Sequence, residues 1–242
     1  PTRRPPVISG RAAAEYGAVR ALIASPRDAT AAIEGAWRSE DEGSRMRHLA
    51  RALTAHGEAI FVAADARRAA EVASLSVPVY NGAFDAAAVS AWAARELRPW
   101  MEKRRRAIEA VEADFAKILE MQPVPPPRWV VAAAGVVAAM WGDLADDLRK
   151  GATLARPPKD PDLRKAYEEA MQGAAEPITH GRAIPAARRC LDLAAKLQVV
   201  DERAKACEAW LIENDAAHFR RGGELVPRLR AGAPVHESPL VP

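Results

Sequence analysis

The chain has 242 residues, enough to bury a sizeable core without metals, and its 35 Lys and Arg nearly balance its 32 Asp and Glu. The net charge is therefore small, and this excludes a protein that binds an acidic partner mainly through its overall electrostatic field. Alanine is abundant while Ile, Thr, Tyr and Phe are scarce, and this composition favours helices over strands. We therefore expect an all-α protein.

Capping residues mark several helix starts. Ser25 and Asp160 each precede a proline, and proline suits the first position of a helix because its missing N–H costs nothing there. Caps and apolar periodicity together predict helices at residues 11–24, 26–38, 44–75, 86–121, 127–150, 161–175, 177–197 and 201–214.

The connectors between these helices are short, so we expect a single helical domain over residues 11–214, with possible sub-units 11–76 and 86–214. Residues 1–10 are expected to be a leader. Residues 215–242 are expected to form a loosely ordered tail, because glycines and prolines interrupt every possible helix from Gly222 onward. The start has neither an initiator Met nor an apolar signal core, so we expect a fragment whose targeting signal lies outside it.

Two of the predicted helices carry clear apolar patterns. The helix at 86–121 has one apolar stripe, and Pro99 inside it should bend or split the helix. The helix at 127–150 contains 13 uncharged residues from Trp129 to Trp141. This run is short of the roughly 20 residues that cross a bilayer, so we expect no transmembrane segment and a helix surrounded by its neighbours.

Successive amphipathic helices joined by short turns are typical of helix bundles and of stacked helix hairpins. The sequence has no clean repeat, although small residues recur at spacings where helices cross, as at Ala204, Cys207 and Leu211. We expect a degenerate tetratricopeptide-like array (an α-solenoid), with an irregular helix bundle as the alternative. Trp92, Trp100, Trp129, Trp141 and Trp210 are expected mostly in the core.

Cys190 and Cys207 lie at equal distances from the predicted turn Gln198–Asp201. In an antiparallel hairpin such residues share one level, and inward-facing Cα atoms come within about 5 Å, a distance that a disulfide spans. The spacing therefore predicts a Cys190–Cys207 disulfide. Geometry alone leaves open the alternative of two reduced, buried cysteines.

No pattern of catalytic or metal-binding residues is found in the sequence. The five histidines are scattered without zinc spacing, and the GxSxG, Walker and dinucleotide motifs are missing. Asp143, Asp146 and Asp147 cluster near a helix end, where a solvated surface is the favoured interpretation and an enzyme pocket between the helices at 127–150 and 161–175 the alternative. We therefore expect a protein that is not an enzyme and has no cofactor, metal or small-molecule substrate.

The basic run Lys103–Arg106 is the best candidate for contact with nucleic acid or acidic lipid. Two pairs four residues apart, Glu102 with Arg106 and Arg105 with Glu109, should reduce its charge, and Arg104 should cover apolar surface with its stem. A nucleic-acid-binding helical module is therefore the alternative function. The candidate residues for binding a partner are Trp37, expected to be exposed, and Lys103, Arg105 and Arg106.

Four segments occur in a distinctive order over about residues 55–220: HGEAIFVAADARRA, VPVYNGAFDAAAV, ILEMQPVPPPRWVVAAAGVVAAMWGDLADDLR and CLDLAAKLQVVDERAKACEAWL. Together they resemble the C-terminal region of tetratricopeptide-repeat proteins of myxobacteria and relatives, of the gliding-motility or envelope-associated type. The first fifty residues depart from it, being richer in Ala and Arg and showing no repeat.

The resemblance implies a periplasmic or envelope-associated scaffold that binds other envelope proteins through a concave helical surface. It brings no catalytic residues with it. The two cysteines match the family's positions, which strengthens the expectation of a disulfide and of an oxidising compartment.

Overall fold

The computed structural model describes residues 31, 34–35, 42–83, 85–150 and 160–219. The regular elements in these ranges are all helical, as the composition predicts. They are α1 (Glu42–Glu71), α2 (Ala86–Trp92), α3 (Arg98–Leu119), α4 (Pro127–Arg149), α5 (Pro161–Ile178), α6 (Ile184–Leu197) and α7 (Glu202–Asn214). The leader at 1–10, the helix predicted at 11–24 and the tail beyond residue 219 lie outside the described residues, as does most of the helix predicted at 26–38.

A single π turn, Ala93–Leu97, joins α2 to α3. Its last hydrogen bond runs from the Arg98 N–H to the Ala93 carbonyl, and Pro99 follows directly. A proline in a regular helix clashes with the carbonyl four residues earlier, and the wider turn relieves that clash. Residues 86–119 therefore form one helical run whose winding widens just before Pro99, instead of being split there.

The same arrangement joins α5 to α6 through the π turn Thr179–Ala183. There the Ile184 N–H bonds to the Thr179 carbonyl, one residue before Pro185. The predicted break between residues 175 and 177 is wrong, because the helix continues past Pro177 and changes its winding only at the π turn. Two predicted helices are thus one helical run.

Helix α4 lies at the centre of the described structure and packs against α1, α3, α5, α6 and α7. More than half of its 23 residues are buried, and Trp141 and Leu144 are almost completely so. Ala132, Ala133 and Gly135 let the neighbouring helices approach closely. The expectation that this helix is surrounded is confirmed.

By length and composition α4 could also cross a membrane, but 67% of its most apolar window is buried inside the protein. Burial of this extent is what the central helix of a helical domain requires, because its apolar surface is already covered by protein.

The last two helices form the predicted antiparallel hairpin. Helix α6 ends at Gln198, which takes the left-handed conformation (φ 54°). Helix α7 begins after Asp201, whose carboxylate accepts hydrogen bonds from the N–H groups of Arg203 and Ala204. This cap satisfies two backbone donors that the first turn leaves without helical partners.

Aromatic side chains join α1, α3 and α4 in the core. The Phe61 ring centroid lies 5.3 Å from that of Phe115 and 5.1 Å from that of Trp129. The four tryptophans at 92, 100, 129 and 141 are at most 9% exposed, as predicted, whereas Trp210 is half-buried.

Candidate functional site

The basic run on α3 is not one continuous surface. Arg104 is only 8% exposed; its Nη1 lies 2.7 Å from the Asp147 carboxylate and donates to the Leu75 carbonyl at 3.3 Å. Its guanidinium also lies 5.4 Å from the centroid of the Trp100 ring. Arg104 thus covers apolar surface, as expected, and it ties helix α4 and the segment after α1 to α3.

Arg105 is held by carboxylates on its own helix. It lies 2.8 Å from Glu109, as predicted, and 2.9 Å from Glu102, which was expected to pair with Arg106 instead. Glu102 and Arg105 are three residues apart and so lie on one face of the helix, as residues four apart do. Lys103 and Arg106 are exposed, so they are the members of the run whose charge faces solvent without an ion pair in the part of the chain described.

The three carboxylates near the end of α4 differ in their partners. Asp146 lies 3.2 Å from Arg149 and Asp147 pairs with Arg104, whereas Asp143 has neither an ion pair nor a hydrogen bond within the described ranges. Desolvation by the atoms around it raises the pKa of Asp143, and the charge of Asp147 raises it further, although Asp143 is exposed at the surface.

A cavity of about 280 Å³ lies beside Asp143, between α4 and α7 rather than between α4 and α5 as the enzyme alternative expected. Its lining is mostly small and apolar, and its polar side chains are Asp143, Arg203 and Trp210. These groups do not form a nucleophile with an adjacent base.

A larger apolar groove, of about 420 Å³, was not anticipated from the sequence. One wall is the first half of α1, and the other is the proline run before α4. The lining residues are Met46, Leu49, Ala50, Leu53, Thr54, Pro123, Val124, Pro125, Pro126 and Pro127. Met46 is 56% exposed and Val124 is 61% exposed, so the groove opens to solvent. The apolar spacing at residues 46, 49, 50 and 53 was the available signal, but it also fits an ordinary core face.

The predicted disulfide joins Cys190 on α6 to Cys207 on α7, with Cα atoms 6.6 Å apart. Both residues are nearly completely buried. The bond ties the hairpin together and leaves no free thiol among the described residues.

The described residues contain no group of three His, Cys, Asp or Glu side chains that could hold a metal ion. His218 contacts Asp215 at 2.9 Å, and Asp215 also pairs with Arg188, so this cluster holds the end of α7. Trp37, the predicted exposed anchor, lies outside the described residues, as does His236.

Comparisons of the chain with protein-family models, curated proteins and solved structures found no match.

Proposed function

We propose that this chain is a non-catalytic scaffold of the cell envelope that binds a segment of another protein in the groove between α1 and the proline run. The observation that carries the proposal is the groove itself, which exposes Met46 and Val124 beside a buried apolar floor. Contiguous apolar surface that is exposed to solvent in this way is typical of sites where proteins bind one another.

The lining of the groove favours recognition over chemistry. It contains one hydroxyl group, that of Thr54, and no carboxylate, imidazole or thiol. The proline run is a stiff wall because each ring fixes its own backbone φ angle. A rigid apolar wall facing a helix binds apolar side chains with little loss of its own conformational freedom.

The occupant that fits best is an amphipathic helix with acidic residues on its polar face. Groove residues on α1 recur at spacings of three and four, the geometry by which one helix packs along another. Arg51 lies one turn before Thr54, and Arg128 follows Pro127; both are exposed and have no ion pair among the described residues. These two cations favour an acidic partner.

Titration with a designed amphipathic peptide tests the proposal. A 14-residue helix with Leu on one face and Glu on the other should bind more tightly than the same peptide with Lys in place of Glu. Met46→Glu and Val124→Glu should each weaken binding at least about tenfold, because they put a charge against the apolar face.

Val200→Glu is the matched control, since Val200 is 79% exposed and is not part of the groove. A photo-crosslinking residue at position 124, compared with one at position 200, extends the test to native envelopes. Equal loss of binding in the groove variants and the control, or no preference for the acidic peptide, would refute the proposal.

The envelope location rests on the disulfide, which persists in oxidising compartments. The narrower assignment to a gliding-motility machine rests on the sequence resemblance alone. Hairpins such as α6–α7 fit a degenerate tetratricopeptide-like array, but the contacts of α4 with five other helices favour the irregular bundle, because repeats in an array contact only their neighbours.

The nucleic-acid alternative has weaker support. Burial of Arg104 and pairing of Arg105 leave Lys103 and Arg106 as the exposed cations of the run, and counterion-driven affinity requires a larger unpaired patch. Salt-dependent binding to random oligonucleotides, lost on Lys103→Ala together with Arg106→Ala, would favour it over the scaffold.

A further inference from the structure

The cavity between α4 and α7 exists because small side chains face each other across the two helices. Ala138 and Ala139 on α4 lie opposite Ala206 and Cys207 on α7, and the space of about 280 Å³ between them is not filled by a large side chain. It could hold about nine groups the size of a water molecule. This volume is close to the lower limit for small-molecule sites, about 300 Å³.

Asp143 lies at one end of this cavity and has no ion pair or hydrogen bond among the described residues. The nearby cations each have another partner: Arg68 on α1 lies 2.7 Å from Asp65, and Arg104 on α3 pairs with Asp147. On α4 itself, Asp146 pairs with Arg149. Beside desolvation, the charges of Asp147 and Asp146 raise the pKa of Asp143, while those of Arg104 and Arg68 lower it. Asp143 is exposed at the cavity, so its carboxylate is accessible to a ligand from solvent.

The two ends of the cavity differ in charge. Trp210 lies at the Asp143 end, where its indole nitrogen packs on Gly142, and an aromatic ring beside a carboxylate favours a cation. Arg203 lies at the other end, beside Gly135, with its guanidinium 5.0 Å from the Phe61 ring centroid. Gly135 and Asp143 are eight residues apart, or about 12 Å along the helix.

We propose that this cavity binds a small organic monocation, a protonated primary amine with an apolar tail. The ammonium group donates hydrogen bonds to the Asp143 carboxylate beside Trp210, and the tail lies among the alanines of α4 and α7. Arg203 disfavours a second positive charge at the far end. The site shares no lining residue with the groove beside α1, so it is independent of the proposed scaffold function.

The test uses the full chain and 2-phenylethylammonium as the probe, with titration followed by calorimetry and by NMR of the tryptophan indole N–H groups. 2-Phenylethanol, which has the same shape without the charge, is the matched ligand control. The ammonium compound should bind at least about tenfold more tightly than the alcohol, because a hydrogen bond to a charged group is stronger than a neutral one.

Two variants separate the site from nonspecific binding. Asp143→Asn should reduce affinity for the amine at least about tenfold, while Asp192→Asn, on the exposed side of α6, should not change it. Ala206→Leu should fill the cavity from an exposed position and block both ligands, with circular dichroism checking that each variant folds. No binding in the millimolar range, equal affinity for amine and alcohol, or unchanged affinity in Asp143→Asn would overturn the proposal.

Discussion

At the scale of single residues, Arg104 shows how a charged side chain links two helices to the segment that follows a third. Its guanidinium contacts the Leu75 carbonyl beyond the end of α1 and the Asp147 carboxylate on α4, and the Trp100 indole N–H also donates to the Leu75 carbonyl, at 3.4 Å. The Arg104 Nε atom is buried without a hydrogen-bond partner. The residue therefore keeps its position through its contacts at one end of the guanidinium.

We expect Arg104→Met to lower the free energy of unfolding by about 3 kcal/mol. This is the lower part of the range for removing one member of a buried ion pair, because the Asp147 side chain keeps 32% exposure and can be partly hydrated. Arg105→Met, which removes a partly exposed pair on the same helix, should cost at most about 1 kcal/mol. Urea unfolding of both variants checks this, and equal losses would contradict the structural role of Arg104.

His56 makes the stability depend on pH. Its Nδ1 atom is buried without a hydrogen-bond partner, and burial lowers the pKa of His56 below its usual 6.5. As the pH falls below about 6.5, the unfolded chain binds a proton that the folded chain does not, so stability decreases toward the folded-state pKa. Unfolding measured between pH 8 and about pH 5 should show a smaller decrease in His56→Gln than in the native chain.

The control for this prediction is His48→Gln, at an exposed position about two turns earlier in α1. It should keep the pH dependence of the native chain. If the loss of stability at low pH disappears in His48→Gln and persists in His56→Gln, the prediction for His56 is wrong.

At the scale of the helices, sequence patterns predicted the elements well where capping and periodicity agreed. Asp160 and Asp201 cap α5 and α7 near the predicted positions, because an N-cap depends on a few local residues. The π turns could not be predicted, since a proline can end a helix, kink it or be accommodated by a wider turn, and local sequence does not decide among these outcomes. Pro99 and Pro177 therefore look alike in sequence but differ in outcome.

The candidate sites were less predictable than the helices. The sequence favoured a solvated surface for the cluster that contains Asp143, and the cavity beside it depends on which alanines of α7 face α4. The partner of Arg104 lies more than forty residues away on another helix, so local spacing carries no signal for that pair. Contacts between distant segments follow from packing, which a single sequence does not display.

Two glycines give a prediction of opposite effects: Gly135 lies where α4 crosses α7, and Gly173 lies on α5. A Cβ atom at Gly135 would lie 2.6 Å from the Cβ of Arg203, so Gly135→Ala must push the helices apart and should cost about 1–3 kcal/mol. Gly173 on α5 has open space around it, so Gly173→Ala should stabilise by about 0.5–1 kcal/mol through helix propensity. Thermal unfolding of both variants should give shifts of opposite sign.

At the scale of the whole molecule, α4 makes the described helices interdependent. The other helices that pack against it are α1, α3, α5, α6 and α7. Because all five bury apolar surface on the same helix, displacing one of them weakens the packing of the others. The α6–α7 hairpin adds a covalent link through Cys190 and Cys207. Loss of the disulfide should therefore destabilise contacts outside the hairpin as well, because α7 also forms one wall of the cavity beside Asp143.

We expect the disulfide to stabilise the protein by about 3 kcal/mol, the value for closing a loop of its 17-residue separation in the unfolded chain. Reducing agent should lower the urea midpoint of the native chain and leave that of the double variant Cys190→Ala, Cys207→Ala unchanged. Comparing the reduced chain with the variant separates the covalent link from the loss of two buried side chains. A native mass heavier by two hydrogens, in protein isolated without reductant from an oxidising compartment, would show that the bond does not form and would remove the main support for an envelope location.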